Sequence, residues 1–303
     1  MGNHMPQVLR SLLLLCLLPV FLWPEELSQP RYFFYKATRD DATFYLLGSM
    51  HMGKPSDPEY PEKIYQALRN SSTLILEGEV RREKMRQPNL ALAQLPENMR
   101  ITRFLNRKER RQLKELAQKI GFPLHEYEHF QPWFLEFILS YQLAFKQGYV
   151  LEYGTEYRLL RYMERDIPPE RRPRIFTLEG FDEVIVNMSH LPLEKQMKRF
   201  RAFLSYTDRV EESNVLEMAE HWRNGNDEKV LEIFHYYNKK NAVQSDAYSK
   251  VLLFDRNRRM AERLDLVARY PGQYFVIAGA LHLIGEKSIL EYLRAQGFSV
   301  ERL

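Results

Sequence analysis

Short apolar runs that stop at glycine or glutamate alternate along the chain with longer stretches in which apolar residues recur every three or four positions. Residues 43–47 form the first run and end at Gly48. Residues 72–77 form the second and end on Glu77. Residues 174–179 end on Glu179 and Gly180, and residues 274–278 end at Gly279. Short apolar runs closed by Gly, Pro or charge predict buried strands, and runs without alternation mark parallel strands covered on both faces. Between the first two runs, residues 60–70 place Ile64 and Leu68 on one side of a predicted helix. That strand–helix–strand order makes the two strands parallel neighbours. A last strand, residues 298–300, follows a predicted helix over 286–296 and its terminating Gly297.

The middle of the chain predicts helices over residues 106–119, 133–147, 156–165, 193–222, 227–238 and 254–268. The expected fold is therefore α/β: a small, mostly parallel central sheet covered by a long helical insertion of about residues 100–260. No Gly/Ser-rich linker, low-complexity tract or long internal repeat interrupts residues 31–303, which are expected to form a single domain.

Residues 1–30 have a different pattern. Arg10 precedes an unbroken apolar run over residues 12–23, short of the about 20 residues that a membrane-spanning helix needs. A basic residue before such a run is the pattern of a secretory signal. Pro24-Glu25-Glu26-Leu27-Ser28 supplies no A-x-A cleavage site, so residues 1–30 are expected to be a signal peptide or a retained N-terminal anchor. The chain is accordingly expected outside the cytoplasm, periplasmic or secreted, with membrane association where this segment is retained as an anchor. Cys16 lies inside the run behind four leucines and is not read as a lipidation site.

With 45% hydrophobic and 13% aromatic residues, the 303-residue chain is not a disordered polymer. Its one cysteine excludes a disulfide framework and a Cys-based zinc cluster. Lys plus Arg number 44 against 40 Asp plus Glu, a net charge of +4, and the basic pairs are mixed with glutamates. That is not the basic stripe of a nucleic-acid binder, and no nucleic-acid partner is expected.

Gly48-Ser49-Met50-His51 leaves the first strand and Gly279-Ala280-Leu281-His282 leaves the fourth, each followed by a second glycine, Gly53 and Gly285. Gly48 and Gly279 are the turn residues that let the chain exit each strand tightly. Each His then stands just past the C-terminal end of a strand, where open parallel sheets build ligand sites. Glu77 and Glu179 end the other two strands, so His51, Glu77, Glu179 and His282 are expected along one rim. Two imidazoles and two carboxylates suit Zn, Mn, Co or non-haem Fe. A carboxylate that does not bind the metal can act as base for a bound water. Either His alone is adequately explained as a turn residue bonded to its own loop. The duplication in matched strand contexts is what favours a shared site. Arg256-Asn257 offers a cation and an amide for an oxyanion, or is a helix-surface pair with ordinary ion contacts.

His125-Glu126-Tyr127-Glu128-His129 also fits H-E-x-x-H and H-x-x-E-H. Those motifs need a long helix that sets both His on one face, and Pro123 and Pro132 leave no room for one. This stretch is expected to be a charged loop without metal. G-x-S-x-G, P-loop and G-x-G-x-x-G sequences are absent, and Ser49 has no evident Asp partner for a serine triad.

Tyr45-Leu46-Leu47-Gly48-Ser49-Met50-His51-Met52-Gly53-Lys54-Pro55 followed by Leu74-Ile75-Leu76-Glu77 resembles the TraB/GumN family. So do Gln131-Pro132-Trp133, Leu178-Glu179-Gly180, Asp255-Arg256-Asn257 and Ala278-Gly279-Ala280-Leu281-His282-Leu283-Ile284-Gly285, in the right order from about Tyr32 to the C-terminus. That family includes the animal TIKI proteins, metal-dependent proteases with paired G-x-x-H motifs, and is distantly similar to the erythromycin esterase and ChaN folds. The resemblance implies a divalent metal (Mn, Co or Zn), with His51 and His282 as the paired histidines and Glu77 and Glu179 as their acidic partners. It also implies a role for Arg256 and Asn257. Two departures stand out: Gly154-Thr155-Glu156 replaces Gly-Val/Leu-Asp, moving the acid out by one methylene, and Glu79 stands where Asp is common.

The expected activity is that of an exported metal-dependent hydrolase, a TIKI-like peptidase acting on a peptide or protein through a metal-activated water. Its expected ligands are His51, Glu179 and His282, with Glu77 as base and Arg256 and Asn257 at the oxyanion. The alternative from another class is a binding protein that sequesters a peptide or signal in the same cleft without turnover. A third is a metal-free, esterase-like hydrolase using a rim His as base.

Overall fold

A computed structural model of the protein describes residues 31–81, 89–207, 214–240 and 249–303. The expected signal peptide or anchor, residues 1–30, lies outside the described residues. Among these no helix is long and apolar enough to cross a membrane.

The six strands are β1 (Phe34–Arg39), β2 (Ala42–Ser49), β3 (Thr73–Gly78), β4 (Arg174–Glu179), β5 (Gly272–Gly279) and β6 (Ser299–Arg302). They form one sheet in the order β4-β3-β5-β2-β1-β6. The run β4, β3, β5, β2 is parallel, so their C-terminal ends share one edge. β1 and β6 extend the other side as antiparallel strands. The result is the expected α/β architecture with a mostly parallel sheet.

Two features of the sheet differ from the sequence reading. β2 and β3 are parallel but not neighbours, because β5 lies between them. Tyr274, Phe275, Val276, Ile277 and Ala278 are all buried, so this chain-late strand takes the centre, where both faces are covered. The second difference is β1, which the sequence reading did not predict. It pairs with β2 through a hairpin whose turn sets Asp40 in the left-handed region at φ 50°, a conformation that Asp tolerates better than most residues.

Helix α1 (Glu62–Asn70) buries Ile64, Ala67 and Leu68 and makes the crossover from β2 toward β3. The insertion after β3 holds α2 (Arg107–Ile120), the one-turn α3 (Leu124–Tyr127), α4 (Pro132–Lys146) and α5 (Thr155–Asp166). Beyond β4 come α6 (Phe181–Ser189), α7 (Leu193–Thr207), α8 (Asn214–Arg223) and α9 (Asp227–Lys240). The long helix expected over residues 193–222 is thus two helices, with residues 208–213 outside the described set. Then follow α10 (Asp255–Val267), the one-turn α11 (Ala280–Leu283) and α12 (Ile289–Ala295).

The insertion does not cover the sheet as one layer. Leu159, Leu160 and Met163 of α5 join the sheet's own core with Ile64, Phe275 and Leu293. Leu113, Leu116 and Ile120 of α2, Leu135 and Leu139 of α4, and Met197, Phe200 and Leu204 of α7 make a second core among themselves. Burial of an apolar stripe on each helix therefore holds the cap together separately from the sheet, with α4 running between cap and rim.

Candidate active site

β2 delivers His51 and β5 delivers His282 to the same edge of the sheet, because Ser49 and Gly279 are in register at the ends of two paired strands. Gly48 is clamped there: its N–H donates to Phe33 O at 2.7 Å, and its carbonyl accepts from Trp222 Nε1 at 2.8 Å. Gly279 lies at the centre of the group. A Cβ built on it would stand 3.3 Å from Glu77 Oε2, 3.3 Å from His282 Cδ2 and 3.6 Å from His51 Nε2. The His51, His282 and Glu77 side chains therefore converge on one point, and a Cβ there would press Glu77 and His282 back by a few tenths of an ångström; the φ of −49° at Gly279 is open to any residue.

Each imidazole is anchored through Nδ1. His282 Nδ1 lies 2.5 Å from Asn257 Oδ1, and the Asn257 Nδ2 group donates to Lys287 O at 2.7 Å. That second bond fixes the amide, so its oxygen faces His282 and Nδ1 carries the proton. His51 Nδ1 lies 2.9 Å from Glu156 Oε1. A carboxylate only accepts, so His51 Nδ1 is also the protonated nitrogen. Both rings consequently present Nε2 to the common point. His282 Nε2 is 3.3 Å from Glu77 Oε1, a contact that requires a proton or a cation between the two atoms.

The carboxylates differ in their partners. Glu77 accepts from Gly279 N at 2.7 Å through Oε2 and from Arg256 Nη2 through Oε1. Glu179 accepts from Arg256 Nε through both oxygens, at 2.9 and 3.2 Å. Arg256 Nη1 donates to Leu252 O at 3.0 Å, within the π-helical turn Lys250–Phe254 that leads into α10. The wider π turn lets that carbonyl meet the guanidinium, an arrangement often found beside functional groups. Glu179, Arg256, Asn257 and His282 are all buried, whereas the His51 side chain is 45% exposed and marks the side open to solvent.

These contacts set the charges. The Glu156 carboxylate beside His51 raises its pKa from 6.5 to about 9, against an opposing effect of burial. Burial pushes the Glu77 carboxyl up, but His282 and Arg256 outweigh it and hold Glu77 well below the usual carboxylate range. Burial likewise opposes ionisation of Glu156, and His51 overcomes it and lowers the pKa.

Glu156 is the residue that sequence reasoning left without a role. It sits in the first turn of α5, and the chain before it is pressed onto the His51 turn. Thr155 N donates to Met50 O at 2.9 Å, Met50 N donates to Thr155 Oγ1 at 3.1 Å, and Gly53 and Val150 exchange backbone bonds of 3.0 and 2.9 Å. A Cβ at Gly154 would fall 2.2 Å from His51 O, so only glycine permits this approach. The available signal was an acid directly after Gly-Thr at a helix start.

The literal zincin motif is elsewhere. α3 ends at Tyr127, so His125 and His129 do not share a helix. The His125 side chain is 82% exposed, with Glu126 Oε1 at 3.8 Å. His129 rests on the Phe130 ring at 4.3 Å between centroids.

The chain is similar to the "Uncharacterized protein YbaP" of two bacteria. That of Escherichia coli (strain K12) is 27% identical over 254 residues, covering 83% of this chain and 88% of the relative. That of Shigella flexneri is 26% identical over 253 residues, 82% and 87% of the two chains. A shorter stretch of 63 residues is 44% identical to the metalloprotease TIKI2 of Danio rerio, spanning 20% of this chain and 12% of that protein. No solved structure matches. The sequence model of the TraB/PrgY/gumN family aligns with residues 33–302, from just before β1 to the end of β6, and the chain belongs to that family.

Proposed function

We propose that the protein is a metal-dependent hydrolase, acting most directly as a peptidase, with a divalent cation held at the point where His51, His282 and Glu77 converge. The supporting observation is that both imidazoles present Nε2 to that point while Asn257 and Glu156 hold the two Nδ1 atoms. This is the outer-shell arrangement of metal-binding histidines, which fixes tautomer and ring orientation. The donor chemistry, two imidazoles and a carboxylate, fits Zn, Mn or Co. Among the described residues no three such side chains already stand at ligand geometry, and a cation would compete with Arg256 for Glu77 Oε1.

When bound, a divalent cation lowers the pKa of a water toward about 7 and polarises a substrate carbonyl. The chain's residues do the rest. Glu77, held ionised by its neighbours, suits a ligand better than a base, so in this reading Glu77 takes the ligand role expected of Glu179, and Glu179, with both oxygens on Arg256, is neither ligand nor base. Glu179 keeps Arg256 in place, and Arg256 in turn keeps Glu77 directed at the rings. Asn257 acts through His282. His51 lies at the open side, where a substrate enters. The similarity to the zebrafish TIKI2 metalloprotease over a limited stretch supports a peptide bond as the target. We also propose that residues 1–30 direct the chain out of the cytoplasm, either as a cleaved signal or as an anchor.

Two experiments test the reading. Purified protein loaded with Mn, Co or Zn should retain one cation per chain and cleave peptides, and His282→Ala should lose both properties. Peptide cleavage that survives complete chelation rejects it, as does wild-type protein that holds no cation. Fusion of residues 1–30 to a reporter that is active only outside the cytoplasm should give activity, and its absence rejects export.

A further inference from the structure

Helix α4 brings a side chain to the site that the sequence motifs do not mark. Its residue Ala144 is buried in a cluster with Tyr149 and Ala219, and Met50 and Met52, on either side of His51, pack against that cluster. The C-terminal half of α4 therefore lies on the His51 turn. Tyr141 is three residues earlier on the same helical face. Its ring is held between Phe137, at a centroid distance of 4.7 Å, and Phe145, at 6.3 Å. Its hydroxyl makes no hydrogen bond to a described residue. Other donors near the cation point are committed. Asn257 uses both ends of its amide, and Arg256 bonds a protein partner through each of its nitrogens.

From this placement we infer that Tyr141 is a catalytic residue whose hydroxyl donates a hydrogen bond to the oxyanion formed at the scissile carbonyl. The inference rests on the hydrolase reading above and adds to it the donor that reading lacks. Burial raises the phenol to about 12, and the Glu156 and Glu77 carboxylates add to the shift. The group therefore stays protonated at neutral pH and donates rather than acting as a base. As the oxygen of the attacking water bonds to the carbonyl carbon, the C=O pair moves onto the carbonyl oxygen, which Tyr141 receives while keeping its own proton. When the C–N bond breaks, that pair returns to the C=O bond. The water's two protons end on the departing amine and the other product leaves as a carboxylate. A rigid donor aimed at the charge that develops is the largest single aid to acyl transfer in many enzymes.

The test is Tyr141→Phe in the full chain loaded with its cation. Removal of one oxyanion donor should lower kcat by about 10²–10³-fold, with KM for a peptide changed by less than about threefold. Cation affinity by calorimetry should be unchanged. A phosphinic peptide, whose tetrahedral oxygen mimics the oxyanion, should bind about 10²-fold more weakly, and Tyr141→Gln, which restores an N–H donor, should recover part of that loss. Wild-type kcat and phosphinate affinity in Tyr141→Phe overturn the inference. So does loss of cation affinity in parallel with kcat, which would make the residue structural. Wild-type protein that binds the cation but neither cleaves peptide nor binds the phosphinate overturns the peptidase reading itself, and does so before any variant is made.

Discussion

Replacing Glu156 by Gln should change how many protons leave the protein when a divalent cation binds. In the wild type the Glu156 carboxylate holds His51 protonated up to about pH 9, and the extra proton sits on Nε2, the atom that faces the cation point. A cation and that proton exclude one another. At pH 7 His51 is almost wholly protonated, so binding should release about one proton, and proton competition should weaken the apparent affinity by about 10²-fold relative to alkaline pH. The His51 side chain is 45% exposed, and solvent screening reduces the effect of its partner. Even with a pKa of about 8, the release at pH 7 is still about 0.9 proton.

In Glu156→Gln the imidazole returns toward its ordinary pKa of about 6.5, so binding at pH 7 should release only about a quarter of a proton. The same substitution loosens the ring, and loss of such an outer-shell partner lowers metal affinity by about 10–100-fold. The two effects oppose each other at pH 7 and separate above pH 9, where competition has gone. The variant should match the wild type closely at pH 7 and fall behind it by about 10–100-fold at pH 9.5. Calorimetry in two buffers of different ionisation enthalpy counts the protons directly. Equal release by both proteins, or none by the wild type, refutes a cation at His51 Nε2.

Other outcomes follow from the same contacts. Arg256→Met leaves Glu77 and Glu179 without their buried cation, and breaking a buried pair costs about 3–5 kcal/mol; an unchanged denaturation midpoint in cation-free protein contradicts the network. Gly154→Ala sets a Cβ 2.2 Å from His51 O, and overpacking of this kind costs about 1–3 kcal/mol, measurable as a lowered Tm. His125→Ala and His129→Ala should leave the cation stoichiometry at the wild-type value, and loss of the cation in either would move the site to α3. In cation-free protein, the raised His51 pKa stabilises fully below 6.5 and ceases to do so as pH rises through about 9, while the depressed Glu156 pKa stabilises above 4.5. The pair's contribution should be greatest between those two ordinary values, and a wild-type minus Glu156→Gln difference in Tm that grows from pH 7 to pH 10 contradicts it.

What could be read from the sequence, and what could not, divides along one physical line. A strand that is covered on both faces must be apolar throughout, so β2, β3 and β5 were visible as local runs; β4, an edge strand exposed at Arg174 and Phe176, was visible as a short apolar-rich run closed by Glu179, and the residues that follow all four were visible as rim residues. Strand order is a different matter. The position of β5 between β2 and β3 depends on which strand most needs cover on both sides, and that choice is settled by the assembled core and not by any window of sequence. β1 was missed because Phe34-Tyr35-Lys36-Ala37-Thr38-Arg39 interleaves charge with apolar residues and becomes a strand only by pairing with β2 on one side and β6 on the other.

The same division runs through the site. Histidines and glutamates at strand ends announce a kind of chemistry, but the role of each depends on contacts made across the fold. His51 and Glu156 are 105 residues apart, and His282 and Asn257 are 25 apart. Asn257 looked like an oxyanion donor while its amide was taken to be free; the bond to Lys287 O turns its oxygen to His282 and gives it a positioning task. Glu156 stood out in the sequence only as a departure, an acid one methylene longer than the Asp of the family pattern. Its side chain reaches Nδ1 because Gly154, with no side chain, lets the start of α5 lie against the carbonyl of His51. The pairing of the long acid with His51 therefore depends on that glycine, and neither residue can be interpreted without the other.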